Sequence, residues 1–217
     1  MVMMNKIYVK PRFRKLKPNE YMVFWESLRD ARKINNHGPF VLLRDPEVYT
    51  KSQNFMIGNG IAGFAISDEG EMISVHKNNK KAEKSGVLHI LPKMVRCAFK
   101  YGAKFNDCYG DFLVNYYMKS GFIAVAKVKY DDLDGDYQND EMTRFNKPNF
   151  YILIRGVKNV AELDRLKKKG LIQGFDAVKD TIKSFKSAEK AFEFQAELYN
   201  KIKIYGYKKR LEIIQNL

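Results

Sequence analysis

The chain has 217 residues, 45% hydrophobic and 13% aromatic, enough to bury a core of its own, so it is not a disordered polypeptide. Lysine and arginine number 39 against 25 acids, a net charge of +14. That charge suits an acidic partner, such as nucleic acid or a phosphorylated cofactor, and equally suits a solvated basic surface. Two cysteines, Cys97 and Cys108, make no disulfide framework, no apolar run reaches the roughly 18 residues of a membrane span, and Met1 to Lys6 lacks the apolar core of a signal peptide. The expected setting is a reducing cytoplasm, with free thiols and no membrane.

Lys6 to Lys17 is basic, with Ile7, Val9 and Phe13 interleaved. Ile7 to Lys10 reads as a first strand whose cations point outward from a sheet edge. Pro18-Asn19 opens a helix, with Asn19 as its cap and Tyr21, Phe24, Trp25, Leu28 and Ala31 on the buried face. Asn35 to Pro39 ends it and leaves His37 exposed. Phe40 to Leu43 is a short apolar run. Gln53–Ile57 and Ile61–Ile66 flank Gly58-Asn59-Gly60, a hairpin signal, because Asn-Gly accommodates positive φ. After the turn Ser67 to Gly70, the alternation of Glu71 to His76 predicts a half-buried third strand.

Lys77 to Gly86 is polar and reads as a loop. A helix is expected from about Leu91, with Pro92 in its opening turn and Val95, Ala98 and Phe99 facing inward. His89, on an apolar stretch, reads as a core histidine. Gly102-Ala103-Lys104 is a turn, Lys104–Cys108 a strand, and Asp111–Ser120 a helix that Gly121 stops before the strand Phe122–Val128. Six acids between Asp131 and Glu141 predict a mobile loop. Asp132 to Asp136 hints at a calcium loop, but its glycine is misplaced and the closing glutamate is missing. No spacing of His, Cys and Asp supports a metal site, and none is expected. Phe150–Ile154 is the last strand expected, beside Ile123–Val128. Beyond Gly156 the pattern turns helical. Val160–Lys169 is stopped by Gly170, Ser187 caps a helix with Ala188, Ala191, Phe192, Gln195, Leu198, Tyr199 and Ile202 on one stripe, and Tyr205–Leu217 follows.

The order strand, loop, helix, strand, helix, Gly-Phe, strand, with Tyr117 four residues before Gly121-Phe122, resembles the GNAT superfamily of N-acetyltransferases. The resemblance spans roughly Phe55 to Tyr130, with Gly102-Ala103-Lys104 at the family's turn. It is similar to a degenerate member of the kind that phages and prophages encode. It implies an α+β fold: a mixed, mostly antiparallel sheet flanked by helices over residues 1–156, followed by a helical C-terminal extension over 157–217. It also implies that Glu71–His76 lies parallel to Lys104–Cys108, the two joined by the Leu91–Tyr101 helix.

By the same resemblance the chain transfers an acetyl group from acetyl-CoA to an amine-bearing small molecule or protein by direct attack. Tyr117 would be the acid that protonates the leaving thiolate, and Glu71 the base. Backbone at Ile73 and Val75 would bond the pantetheine arm. The segment Lys77–Gly86 would meet the diphosphate through Lys80, Ser85, Gly86 and Val87. Two departures support a second reading, a non-catalytic protein of the same fold that binds, builds or associates with nucleic acid. Glu83 places a carboxylate where the family has glycine, and Pro92 interrupts the family's continuous helix.

Overall fold

The computed structural model describes residues 12–217 except Asn59, Leu88 and Asn139. The expected strand Ile7–Lys10 lies outside these residues, as does the middle residue of the expected hairpin turn. The elements in order are β1 (Arg14–Lys15), α1 (Tyr21–Ile34), α2 (Val48–Lys51), β2 (Gln53–Ile57), β3 (Ala62–Ile66), β4 (Glu71–Lys77) and α3 (Asn79–Lys84). There follow α4 (Leu91–Lys100), β5 (Phe105–Tyr109), α5 (Gly110–Lys119), β6 (Phe122–Val128), β7 (Phe150–Arg155), α6 (Val160–Lys168), β8 (Lys183–Phe185), α7 (Ala188–Ile202) and α8 (Tyr207–Gln215). The fold is α+β, with a mixed eight-stranded sheet in the order β1-β2-β3-β4-β5-β7-β6-β8 and flanking helices. Two compact units divide the chain: residues up to Asp68 with Ser74–Ile90, and Glu69–Ile73 with Leu91–Leu217.

In the first unit β2 pairs antiparallel with β1 and with β3, the latter as the hairpin signal between them predicts. Helix α1 buries Phe24, Leu28 and Ala31, the stripe its period predicts. Its start is set by Glu20 rather than Asn19. Residues 18–20 form a 3₁₀ turn, and the Glu20 carboxylate accepts from the Lys17 amide at 2.7 Å and from Arg14 at 2.8 Å. An acid at that point satisfies an amide the first turn leaves open. Gly63 lets α1 approach the hairpin closely, since a Cβ there would lie 2.7 Å from His76 Cε1 and 3.1 Å from Phe24 Cε2. Phe40–Leu43 forms no strand, and Phe40 ends a 3₁₀ turn instead. Lys77–Gly86, expected as a loop, contains the helix α3. Asn78 caps it by accepting from the Lys81 amide, and Ala82 is its buried anchor.

In the second unit the start of β4 pairs parallel with β5, Glu71 opposite Phe105 and Met72 opposite Asn106, with α4 between them in the chain. This is the juxtaposition that the acetyltransferase resemblance implies. Pro92 is the second residue of α4, where no intrahelical N–H is needed, so it starts the helix instead of breaking it. His89 is exposed with φ +51°, not a core residue. Strand β7 lies between β5 and β6, antiparallel to both, and is not the last strand, since β8 pairs parallel with β6 beyond it. The register between β6 and β7 slips between Ala124 and Ala126. Opposite that bulge, buried Gln195 of α7 donates to the Leu153 carbonyl at 2.7 Å. Helix α7 therefore packs on this part of the sheet as a brace. The acidic stretch after β6 is a series of short 3₁₀ turns. Gly121, at φ +109°, ends α5, and a Cβ there would meet Leu163 Cδ1 at 2.7 Å.

Candidate functional site

The residues singled out from the sequence fall into two groups, one in each unit. In the second unit Tyr117 sits on the inner face of α5 with Val114 and Met118, and is only 5% exposed. Its ring meets Phe122 edge-on at 6.0 Å. Burial pushes the phenol well above its ordinary pKa. The neighbouring Cys108 and Asp107 add to this, and the Asn106 side chain opposes it. Tyr117 is therefore a fully protonated donor at any physiological pH. Burial likewise pushes the Cys108 thiol well up, with Asp107 adding, so that thiol is no nucleophile. Asn106, 1% exposed, was not among the residues expected to function. An asparagine inside a strand that is otherwise apolar on that face is the signal that could have found it.

The sheet separates Tyr117 from Glu71. Side chains alternate across a strand, and paired residues share a face. Glu71 pairs with Phe105, whose ring packs on Tyr199 of α7 at 5.1 Å. Met72 pairs with Asn106, whose side chain lies beside Tyr117 of α5. The α5 face is marked again by Tyr151, opposite Cys108, whose hydroxyl donates to Asp111 at 2.6 Å. Glu71 thus lies on the α7 face and Tyr117 on the α5 face.

In the first unit Lys80 and Ser85 are exposed, Gly86 is half-buried and Val87 buried. The three amides expected to cradle a diphosphate are already engaged at the end of α3. The Ser85 N–H donates to Lys81 O at 3.1 Å, Gly86 to Glu83 O at 3.2 Å and Val87 to Ala82 O at 2.9 Å. Gly86, at φ +65°, makes this closing turn feasible. The segment presents the carboxyl end of a short helix, with Lys80, Lys81, Glu83 and Lys84 exposed along it.

The end of β4 in the same unit carries a buried polar chain that the sequence did not reveal. His76 Nε2 lies 3.1 Å from Ser27 Oγ, and His76 Nδ1 lies 3.1 Å from the Ser74 carbonyl. Tyr49 Oη lies 2.7 Å from Ser74 Oγ. A carbonyl only accepts, so Nδ1 carries the proton and Nε2 accepts from Ser27. Burial holds the His76 imidazole neutral and lowers its pKa to about 4, the Ser74 carbonyl acting the other way. The unfolded histidine titrates near 6.5. Between these values the unfolded chain binds the extra proton, so stability is full above about pH 6.5 and falls as pH drops towards 4. The full loss is about 3 kcal/mol. Urea midpoints at pH 7 and pH 4.5 should show it, and His76→Gln should flatten the slope. A wild-type slope unchanged by that substitution would assign the acid sensitivity to other groups.

Among the described residues no three of His, Cys, Asp and Glu gather as a metal site, and no helix is long and apolar enough to cross a membrane. The class that these observations define is an α+β protein with a parallel strand pair joined by a helix, and a buried tyrosine on the helix that follows the second strand of that pair. The chain is similar to the apo-form of YjaB from Escherichia coli, at 10% identity over 68% of this chain and 98% of that one, with a TM-score of 0.40. It is similar also to an N-acetyltransferase from Staphylococcus aureus Mu50, at 12% identity over 70% of this chain and 99% of that one, with a TM-score of 0.43. No protein-family model matches the chain, and no curated protein matches it.

Proposed function

We propose that this protein is an acyltransferase of the GNAT type, moving an acetyl group from acetyl-CoA to an amine-bearing small molecule or protein in the cytoplasm. The observation that carries the reading is the parallel β4–β5 pair joined by α4, with the Tyr117 phenol buried on the helix that follows β5. The amine nitrogen attacks the thioester carbonyl, the C–S bond breaks, and the sulfur leaves with a proton from Tyr117. The backbone of Ile73 and Val75 holds the pantetheine arm in this reading. Lys80 and the turn Ser85-Gly86-Val87 take the diphosphate. Glu71 is the base that the resemblance implies, and its strand position lies on the face opposite Tyr117.

A second reading, a non-catalytic binding protein of this fold, draws on a specific observation. The amides of Ser85, Gly86 and Val87 are occupied by the carbonyls of α3, and Glu83 adds a negative charge there. Diphosphate binding requires this turn to open. Thermal unfolding with and without acetyl-CoA separates the two readings. A ligand at about 100 times its dissociation constant adds roughly 2.7 kcal/mol, a midpoint rise of about 5–10 °C for a chain of this size. Amide signals of Ser85, Gly86 and Val87 should move in the same titration. No rise and no movement at millimolar acetyl-CoA would leave the non-catalytic reading standing.

A further inference from the structure

Ser74 has φ +54° inside β4, a left-handed conformation that a non-glycine residue adopts in a strand only when its surroundings impose it. The imposing groups are visible in the first unit. Tyr49 Oη bonds Ser74 Oγ at 2.7 Å, and His76 Nδ1 donates to the Ser74 carbonyl at 3.1 Å. His76 is held in turn by the hydroxyl of Ser27 at 3.1 Å, the shorter of that hydroxyl's two approaches; Gly60 O is at 3.4 Å. The Phe24 ring packs on both clamping rings, 5.1 Å from Tyr49 and 5.3 Å from His76. Side chain and carbonyl of one residue are thus gripped by two different side chains, and each grip is locked by α1.

We infer that Tyr49 and His76 are positioning residues for the candidate site, holding Ser74 left-handed and thereby setting where the β4 backbone around Val75 points. The inference rests on the acyltransfer reading, which puts ligand-bonding backbone at Ile73 and Val75, the two neighbours of Ser74 in the chain. A left-handed residue breaks the alternation of a strand and turns a peptide group out of its ladder. The same conformation costs free energy, so the clamp has a function beyond stability only if the kink serves something. Neutral His76 is the form that can do this without burying a charge beside Ser27 and Phe24.

The test uses the full chain, acetyl-CoA as the probe, and the ¹³C shifts of residue 74 as a readout of its backbone. Tyr49→Phe keeps the ring contacts and loses one bond. It should move the residue 74 shifts away from left-handed values and weaken acetyl-CoA binding about tenfold while thermal unfolding remains cooperative. Ser74→Val, barred from positive φ, should weaken binding more than Ser74→Gly, which tolerates it. Adding Tyr49→Phe to Ser74→Gly should cost less than Tyr49→Phe alone. His76→Leu should follow Tyr49→Phe; if it fails to fold, the tyrosine and serine variants decide. Unchanged residue 74 shifts in Tyr49→Phe would overturn the inference whatever acetyl-CoA does. Shifted residue 74 signals in a protein whose wild type ignores acetyl-CoA would overturn the acyltransfer reading and leave the clamp standing.

Discussion

Under the acyltransfer proposed above, Tyr117→Phe is expected to lower acetyl transfer by roughly 10²–10⁴-fold, the usual worth of a general acid, while acetyl-CoA affinity changes little. The phenol is buried and held well above its ordinary pKa, so on that reading it enters each turnover with its proton. Its interaction with sulfur grows as the thioester breaks and the thiolate forms, and is small before that. Removing it therefore acts on the transition state more than on the bound substrate. The phenylalanine ring fills the same place against Phe122, so stability should hold. Steady-state rates with a panel of amines, alongside acetyl-CoA binding, measure both quantities. Glu71→Gln in the same assay should have far less effect, because Glu71 stands on the α7 face. Equal turnover in Tyr117→Phe and wild type would make Tyr117 a core aromatic at the end of a helix. A large loss in Glu71→Gln would mean that the amine reaches the other face.

The second large effect is on stability. Arg210 is 1% exposed, and its guanidinium donates from Nε to the Tyr205 carbonyl at 2.8 Å and from its two other nitrogens to the carbonyls of Arg155 and Lys203. It lies over the Tyr199 ring at 5.7 Å. One side chain of α8 thus ties together the end of β7, the end of α7 and the turn before α8. Burial lowers its pKa, with the nearby charge of Arg155 adding and Tyr199 and Glu162 opposing. Arg210→Met fills similar space but leaves buried carbonyls without donors, a cost of about 3–5 kcal/mol. Arg210→Lys keeps the charge but cannot reproduce the planar fork, and should fall between. Chemical denaturation of the three proteins measures this. A loss under about 1 kcal/mol in Arg210→Met would mean that water reaches those carbonyls.

Most of the frame was legible in the residues. Alternation placed β4, short apolar runs bounded by turns placed β2, β3, β6 and β7, inward-facing stripes placed α1, α4 and α7, and Gly121 and Gly170 marked where helices end. These signals are local: burial on one face of an element repeats along a few neighbouring residues, and positive φ selects glycine wherever it occurs. The parallel pairing of Glu71–Met72 with Phe105–Asn106 was foreseen through the order of elements, and Tyr117 through its spacing from Gly121-Phe122.

What the tertiary structure alone decided is what depends on partners far away in the chain. β8 is three half-exposed or exposed residues whose only strand signal is the edge of β6 that receives them. α3 forms in a charged stretch because Asn78 caps it and Ala82 finds a buried place, and that helix takes up the amides of Ser85, Gly86 and Val87. His76 read as the last residue of a strand, yet its meaning comes from Ser27, some fifty residues earlier, and from the backbone conformation of Ser74. Glu71 and Tyr117 each looked suited to catalysis by type and position, but the face a strand residue occupies is settled by which helix covers it. The residues themselves determined that there would be a parallel pair and a tyrosine donor. Only packing decided that Tyr117 is buried beside Asn106 and that Glu71 lies on the other face of the sheet, because alternation fixes relative faces along one strand and long-range contacts fix what each face meets.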